Sequence, residues 1–161
     1  MPTYDFIAEA TIVTAGPSVT FSSIPNTYID LVILLNMKGA APANVFFRFN
    51  GDSGTNYRAT GFSGTGSAGV GTSSTNDAQW GMTWTGASAN DIWVGGEVHI
   101  FEYTNTNMWK NMVSRYSSSN EATFMTGQWS DTTAINTILI SSLGNNYAVG
   151  SMFSLYGIKA G

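Results

Sequence analysis

Met152-Phe153-Ser154-Leu155-Tyr156-Gly157-Ile158-Lys159 places Met152, Ser154 and Tyr156 on one face of an extended chain and Phe153, Leu155 and Gly157 on the other. A period of two is the signature of a strand with one face in a core. An amphipathic helix would repeat its apolar residues at i, i+3, i+4 and i+7, and no extended stretch of this chain does so. Upstream, Ile29 to Leu35 is more continuously apolar, which suits a central strand covered on both sides or by a neighbouring subunit.

The same short runs of Val, Ile, Thr, Phe, Tyr and Trp recur along the whole chain, broken by Gly, Asn, Ser and Pro. Strands are expected near 4–13, 18–22, 29–38, 44–50, 55–62, 78–85, 91–103, 109–117, 121–130, 133–142 and 149–159. With no helical crossovers between them, the sheets should be antiparallel. The expectation is an all-β, antiparallel, jelly-roll-like β-sandwich forming a single domain over 1–161, a length that one core can serve. Ala15-Gly16-Pro17 and Ile24-Pro25-Asn26 punctuate the first third, since Pro cannot donate to a ladder. Asn50-Gly51 after Val45-Phe46-Phe47-Arg48-Phe49 resembles a tight hairpin turn, and Gly144-Asn145-Asn146 should turn the chain into the last strand. Residues 61–76, GFSGTGSAGVGTSSTN, have few large side chains and read as a flexible Gly/Ser-rich surface loop.

Charged residues make up only 10% of the chain, against roughly 25% in an average soluble protein, so hydroxyls and amides must form most of the polar surface. Net charge is −4, and no Lys or Arg occurs between Arg58 and Lys110. Nucleic-acid binding needs clustered cations to displace counterions, and Lys38, Arg48, Arg58, Lys110, Arg115 and Lys159 are scattered. Without cysteine there is neither a disulfide framework nor a thiolate metal site. The opening MPTYDFIAEA lacks a secretory signature and the longest apolar run is Leu31 to Leu35, so a soluble product with no membrane partner is expected.

Sites of chemistry are hard to assemble from these residues. His99, within Glu97-Val98-His99-Ile100-Phe101, is the only histidine, and the simpler reading is a polar residue on a strand face rather than a general base or a zinc ligand. Gly64-Thr65-Gly66-Ser67-Ala68-Gly69 matches GxGxxG with Asp91 downstream, but Val70-Gly71-Thr72 is a poor helix opening for a pyrophosphate. Asn50, Asp52 and Asn56 imitate part of a calcium loop that lacks its closing acid. Asp77, Asp91, Glu97 and Glu102 are the carboxylates a glycosidase could draw on. The reading is therefore a non-enzyme with no catalytic, cofactor or metal residues assigned. Trp80, Trp84, Trp93 and Trp109 stand out instead, either as core or as interface anchors, because Trp combines large area with few rotamers.

Tyr4-Asp5-Phe6-Ile7-Ala8, Val19-Thr20-Phe21-Ser22-Ser23-Ile24-Pro25, Tyr28-Ile29-Asp30-Leu31, Arg48-Phe49-Asn50-Gly51-Asp52, Asn56-Tyr57, Trp129-Ser130, Ala134-Ile135-Asn136 and Leu155-Tyr156-Gly157-Ile158-Lys159 form a further pattern. In these pieces the chain resembles a group of small virion structural proteins of tailed, cyanophage-like phages. The resemblance spans both ends and much of the middle, leaving out 61–76. It implies a virion component assembled in a host cytoplasm: a capsid decoration (cement) protein, commonly a homotrimer, on the major capsid protein shell. The alternative within the group is a tail or head-fibre module binding host glycans or a receptor. The resemblance carries no catalytic residues.

Overall fold

A computed structural model describes residues 3–39, 44–82, 93–117 and 121–159, which form strands and connections with no helix. The strands are β1 (Thr3–Thr11), β2 (Ser18–Phe21), β3 (Asp30–Met37), β4 (Asn44–Phe49), β5 (Tyr57–Gly64), β6 (Gly69–Asp77), β7 (Trp80–Met82), β8 (Val94–Phe101), β9 (Lys110–Ser117), β10 (Ala122–Trp129), β11 (Ile138–Leu143) and β12 (Met152–Lys159). They build an eight-stranded sheet, β1-β12-β3-β8-β9-β10-β5-β6, and a four-stranded sheet, β2-β11-β4-β7. Every described pairing is antiparallel. The result is the antiparallel sandwich expected, in a layout compatible with a jelly-roll-like arrangement.

Alternation explains which face each strand buries. Leu31, Ile33, Leu35 and Met37 of β3 meet Phe153 and Leu155 of β12 and Val94, Val98 and Ile100 of β8 in the core. The small sheet supplies Phe21, Val45, Phe47, Phe49, Trp80, Ile138 and Ile140 from above. Burying side chains of this size stabilises by roughly 1.5–3 kcal/mol each before the entropy cost of ordering them. The Trp80 indole packs directly against Gly127 and the Tyr28 ring against Gly157, so that a β-carbon at either glycine would strike the ring.

Four strands cover eight incompletely, and this decides the rest. β3 is central, but only one of its faces has a layer over it. Val32 and Leu34 point away from the small sheet, Val32 shielded by its neighbours at 4% exposure and Leu34 at 42%.

Three sequence expectations are corrected. Asn50 and Gly51 do adopt positive φ, 51° and 71°, and the Asp52 N–H closes the turn on the Phe49 carbonyl at 2.9 Å. Yet β4 and β5 do not pair: the turn carries the chain from the small sheet to the large one. β4 lies between β11 and β7 instead. The second correction concerns 61–76, read as a flexible loop. It is the outer hairpin of the large sheet, with β5 and β6 paired from Gly64↔Gly69 to Tyr57↔Asp77. The connection is only Thr65 to Ala68, closed by the Thr65 N–H on the Ala68 carbonyl at 3.0 Å with Gly66 at φ +83°. Small side chains bury little, so backbone pairing to β5 rather than apolar burial makes β6 a strand. The strand expected from 133 begins only at Ile138, because the preceding loop is held by Asn50, which donates from Nδ2 to the Ala134 carbonyl and accepts from the N–H groups of Asn136 and Thr137.

Candidate functional site

The uncovered face of the eight-stranded sheet is the site with the most to offer a partner. Register sets its rows. One row runs Phe6, Tyr156, Val32, His99, Val113, Thr126, Thr60, and the next runs Glu9, Ser154, Leu34, Glu97, Arg115, Phe124, Phe62. Apolar exposure on this face is high: Tyr4 63%, Phe6 59%, Phe62 62%, Leu34 42% and Phe124 39%. Phe6 meets Tyr156 edge-on at 5.7 Å, and Phe62 stacks on Phe124 at 5.8 Å. Charge in the middle of the face is internally matched, since Arg115 Nε lies 2.9 Å from Glu97 Oε1. Beside that pair, Leu34, Phe62, Phe124, Gly95, Ser117 and Ala122 border a hollow of about 400 Å³ with small residues on its floor.

Of the four tryptophans singled out, Trp80 is wholly buried, 5.2 Å from the Phe47 ring, and so serves the core rather than an interface. Trp84 lies outside the described residues. Trp93 and Trp109 are about half exposed, each beside a cation: Lys38 Nζ is 5.7 Å from the Trp93 ring and the Arg58 guanidinium 5.6 Å from the Trp109 ring. They do not share a platform. Trp93 precedes β8 and Trp109 precedes β9, and because these strands are antiparallel the two rings mark opposite ends of the sheet.

Trp109 belongs to a polar cluster. Arg58 donates to Gln128 Oε1 at 3.3 Å and to Ser130 Oγ at 3.1 Å, and Gln128 Nε2 donates to Asn111 Oδ1 at 3.1 Å. Arg58, Asn111 and Gln128, with Phe101, Thr60 and Thr126, border a hollow of about 440 Å³. Nothing in the sequence joined positions 58, 109, 111 and 128; the sheet does.

His99 has a partner that sequence reading missed. Its Nε2 lies 2.8 Å from Asp30 Oδ2, while Asp30 Oδ1 accepts the Glu102 N–H at 2.8 Å and the imidazole stacks on Phe101 at 4.3 Å. The adjoining hollow is bordered by Tyr4, Val32, Leu34, Glu97 and Tyr156. Of the carboxylates, Asp91 lies outside the described residues. Asp77 on β6 and Glu97 on β8 are four strand spacings apart, or about 19 Å, well beyond the roughly 5–9.5 Å that two glycosidase carboxylates need. Glu102, five residues beyond Glu97 along one strand direction, is about 16 Å from it and accepts from Asn105 Nδ2.

Of the calcium-like residues, Asn50 is engaged by the loop before β11, and Asp52 and Asn56 bond each other. Asp52 accepts from the Gly54 N–H at 2.8 Å, from Asn56 Nδ2 at 2.9 Å and from Trp129 Nε1 at 2.6 Å. Among the described residues no group of three His, Cys, Asp or Glu is placed to hold a metal ion.

Together, the fold and the face define a β-sandwich with one broad, aromatic-rich sheet surface left uncovered. No protein-family model matches the chain, and no curated protein matches it in sequence.

Proposed function

We propose that the protein is a non-enzymatic phage capsid decoration protein that lays the open face of its eight-stranded sheet on the outer surface of the major capsid protein shell and stabilises the head. The observation supporting this reading is the set of exposed aromatic and aliphatic side chains on that face, Tyr4, Phe6 and Leu34 on one side and Phe124 and Phe62 on the other, separated by a Glu97–Arg115 pair whose charges are matched within the chain. Covering it gains about 25 cal/mol per Å² of apolar area, and the Glu97–Arg115 pair at its middle is covered with both charges partnered. A decoration protein bound across neighbouring shell subunits raises the work of separating them by mass action, since it binds the assembled state alone.

Purified protein added to undecorated capsids should bind at a fixed copy number and raise their melting temperature. L34S, F62S and F124S should retain their own unfolding transition yet lose binding. Absence of binding to any capsid or virion overturns the reading.

A fibre-tip module binding host glycans is the second reading. It is supported by the Trp109, Arg58, Gln128 and Asn111 cluster, where an exposed ring adjoins a fixed array of amide and guanidinium groups. Host-cell adsorption and glycan arrays with wild type, W109A and N111A test it. No signal for any surface removes it.

A further inference from the structure

The two edges of the large sheet are built differently. β1, at one edge, carries Asp5 and Glu9, has an irregularity between Phe6 and Ala8, and is tied by an Asp5–Lys159 ion pair. Charges and bulges of this kind keep an edge from accepting a further strand. In the small sheet the edges are merely short, four residues in β2 and three in β7.

β6, at the other edge, carries its one charge and its one irregularity only at its C-terminal end. It is nine residues long, GVGTSSTND, with no Pro, no Lys and a single charge, Asp77, at its end. Its pairing with β5 is regular from Gly69 to Thr75, and Asn76, at φ 59°, is the residue at which the register shifts. Among the described residues no strand pairs with its outer side.

We propose that the β6 edge is a self-association seam, occupied by β6 of a second copy of this chain in antiparallel register about a two-fold axis at Thr72. The regular stretch is seven residues centred on Thr72, so the two-fold pairs Thr72 with Thr72 of the copy, Gly71 with Ser73, Val70 with Ser74 and Gly69 with Thr75. Charge selects this arrangement. Asp77, the one charge on the strand, lies beyond the ladder at each end, two residues past the last pair, so the two acids sit at opposite ends of the seam. A parallel, in-register pairing would set Asp77 against Asp77, and like charges directly opposite are destabilising. Thr opposite Thr is a favourable cross-strand pair. The joined sheets continue as one surface, so the seam links two molecules while leaving the open face of both available. It stands independently of the shell-binding reading.

The absence of cysteine makes the register directly testable. Opposed residues in antiparallel strands come within disulfide reach, so T72C should form a covalent dimer under mild oxidation, and T126C, on the open face, should not. Sedimentation of the wild type should show a concentration-dependent dimer. T72K and T72E should each weaken it by about tenfold through like-charge opposition, and an equimolar mixture of the two should restore it. A wild type that shows no such species, a T72C yield no higher than that of T126C, or a mixture no stronger than either variant alone overturns the proposal. Circular dichroism of each variant confirms that it is folded.

Discussion

Trp129 at the end of β10 donates its indole N–H to Oδ2 of Asp52, 2.6 Å away and 77 residues distant in the chain. The indole is buried, within 5.6 Å of the Phe49 ring and stacked on Tyr57 at 6.3 Å. Tyr57 in turn accepts the Phe49 N–H at 2.9 Å and donates to the Asp52 carbonyl at 3.3 Å. These contacts secure the point where the chain leaves the small sheet for the large one.

W129F keeps an aromatic ring but removes the donor together with the pyrrole half of the buried indole. The hydrogen bond to the carboxylate should be worth about 1–3 kcal/mol and the cavity adds to it, so chemical denaturation at neutral pH should show a loss of at least that size without a change of slope.

Acid should reveal the same contact. Burial pushes the Asp52 carboxyl up, but the hydrogen bonds from Asn56, Trp129 and the Gly54 N–H outweigh it and hold the group below its ordinary 3.8. A depressed carboxylate contributes stability above the unfolded value that is lost as pH falls through the folded one. The stability gap between wild type and D52N should therefore be full above about pH 4 and close on further acidification.

Alkali should act through tyrosine. Burial pushes Tyr57 and Tyr116 up to about 12, and raises Tyr147 as well. An unfolded tyrosine ionises near 10, so these groups contribute fully below about pH 10 and their contribution is lost as pH rises toward 12. Denaturation midpoints should fall across that window. Y147F, whose parent hydroxyl is buried without a hydrogen-bond partner among the described residues, should match or exceed wild type at neutral pH and show a shallower alkaline decline.

Lys110 is fully buried, and its ammonium donates to the carbonyls of Asn105 at 2.6 Å, Thr132 at 2.9 Å and Met108 at 3.2 Å. It pins the loop before β9 to the loop before β11. K110M fills the space but leaves three carbonyl oxygens without their donor, and should cost about 2–4 kcal/mol by thermal or chemical denaturation.

Sequence alone located most strands, because alternation and punctuation are local: whether Phe153 or Ser154 faces inward is decided by neighbours two residues away. It failed at β6, where glycine, serine and threonine bury too little to betray a strand. The only available sign was the symmetry of Gly64 and Gly69 about a turn at Gly66. The turn at Asn50-Gly51 was legible for the same local reason, but its consequence was not, since φ says how a chain bends and nothing about which sheet the next strand joins.

The amino-acid order by itself thus determined an antiparallel all-β chain poor in charge, with Asn50 and Gly51 where it bends. Tertiary structure decided the division into eight strands and four, the burial of Trp80, and the meetings of Asp52 with Trp129, His99 with Asp30 and Arg58 with Gln128 and Trp109. Strand order and register depend on hydrogen bonds and packing between residues far apart in sequence. A single strand's pattern fixes which of its faces is apolar, whereas only the assembled sheets fix which apolar faces find cover and which stay open.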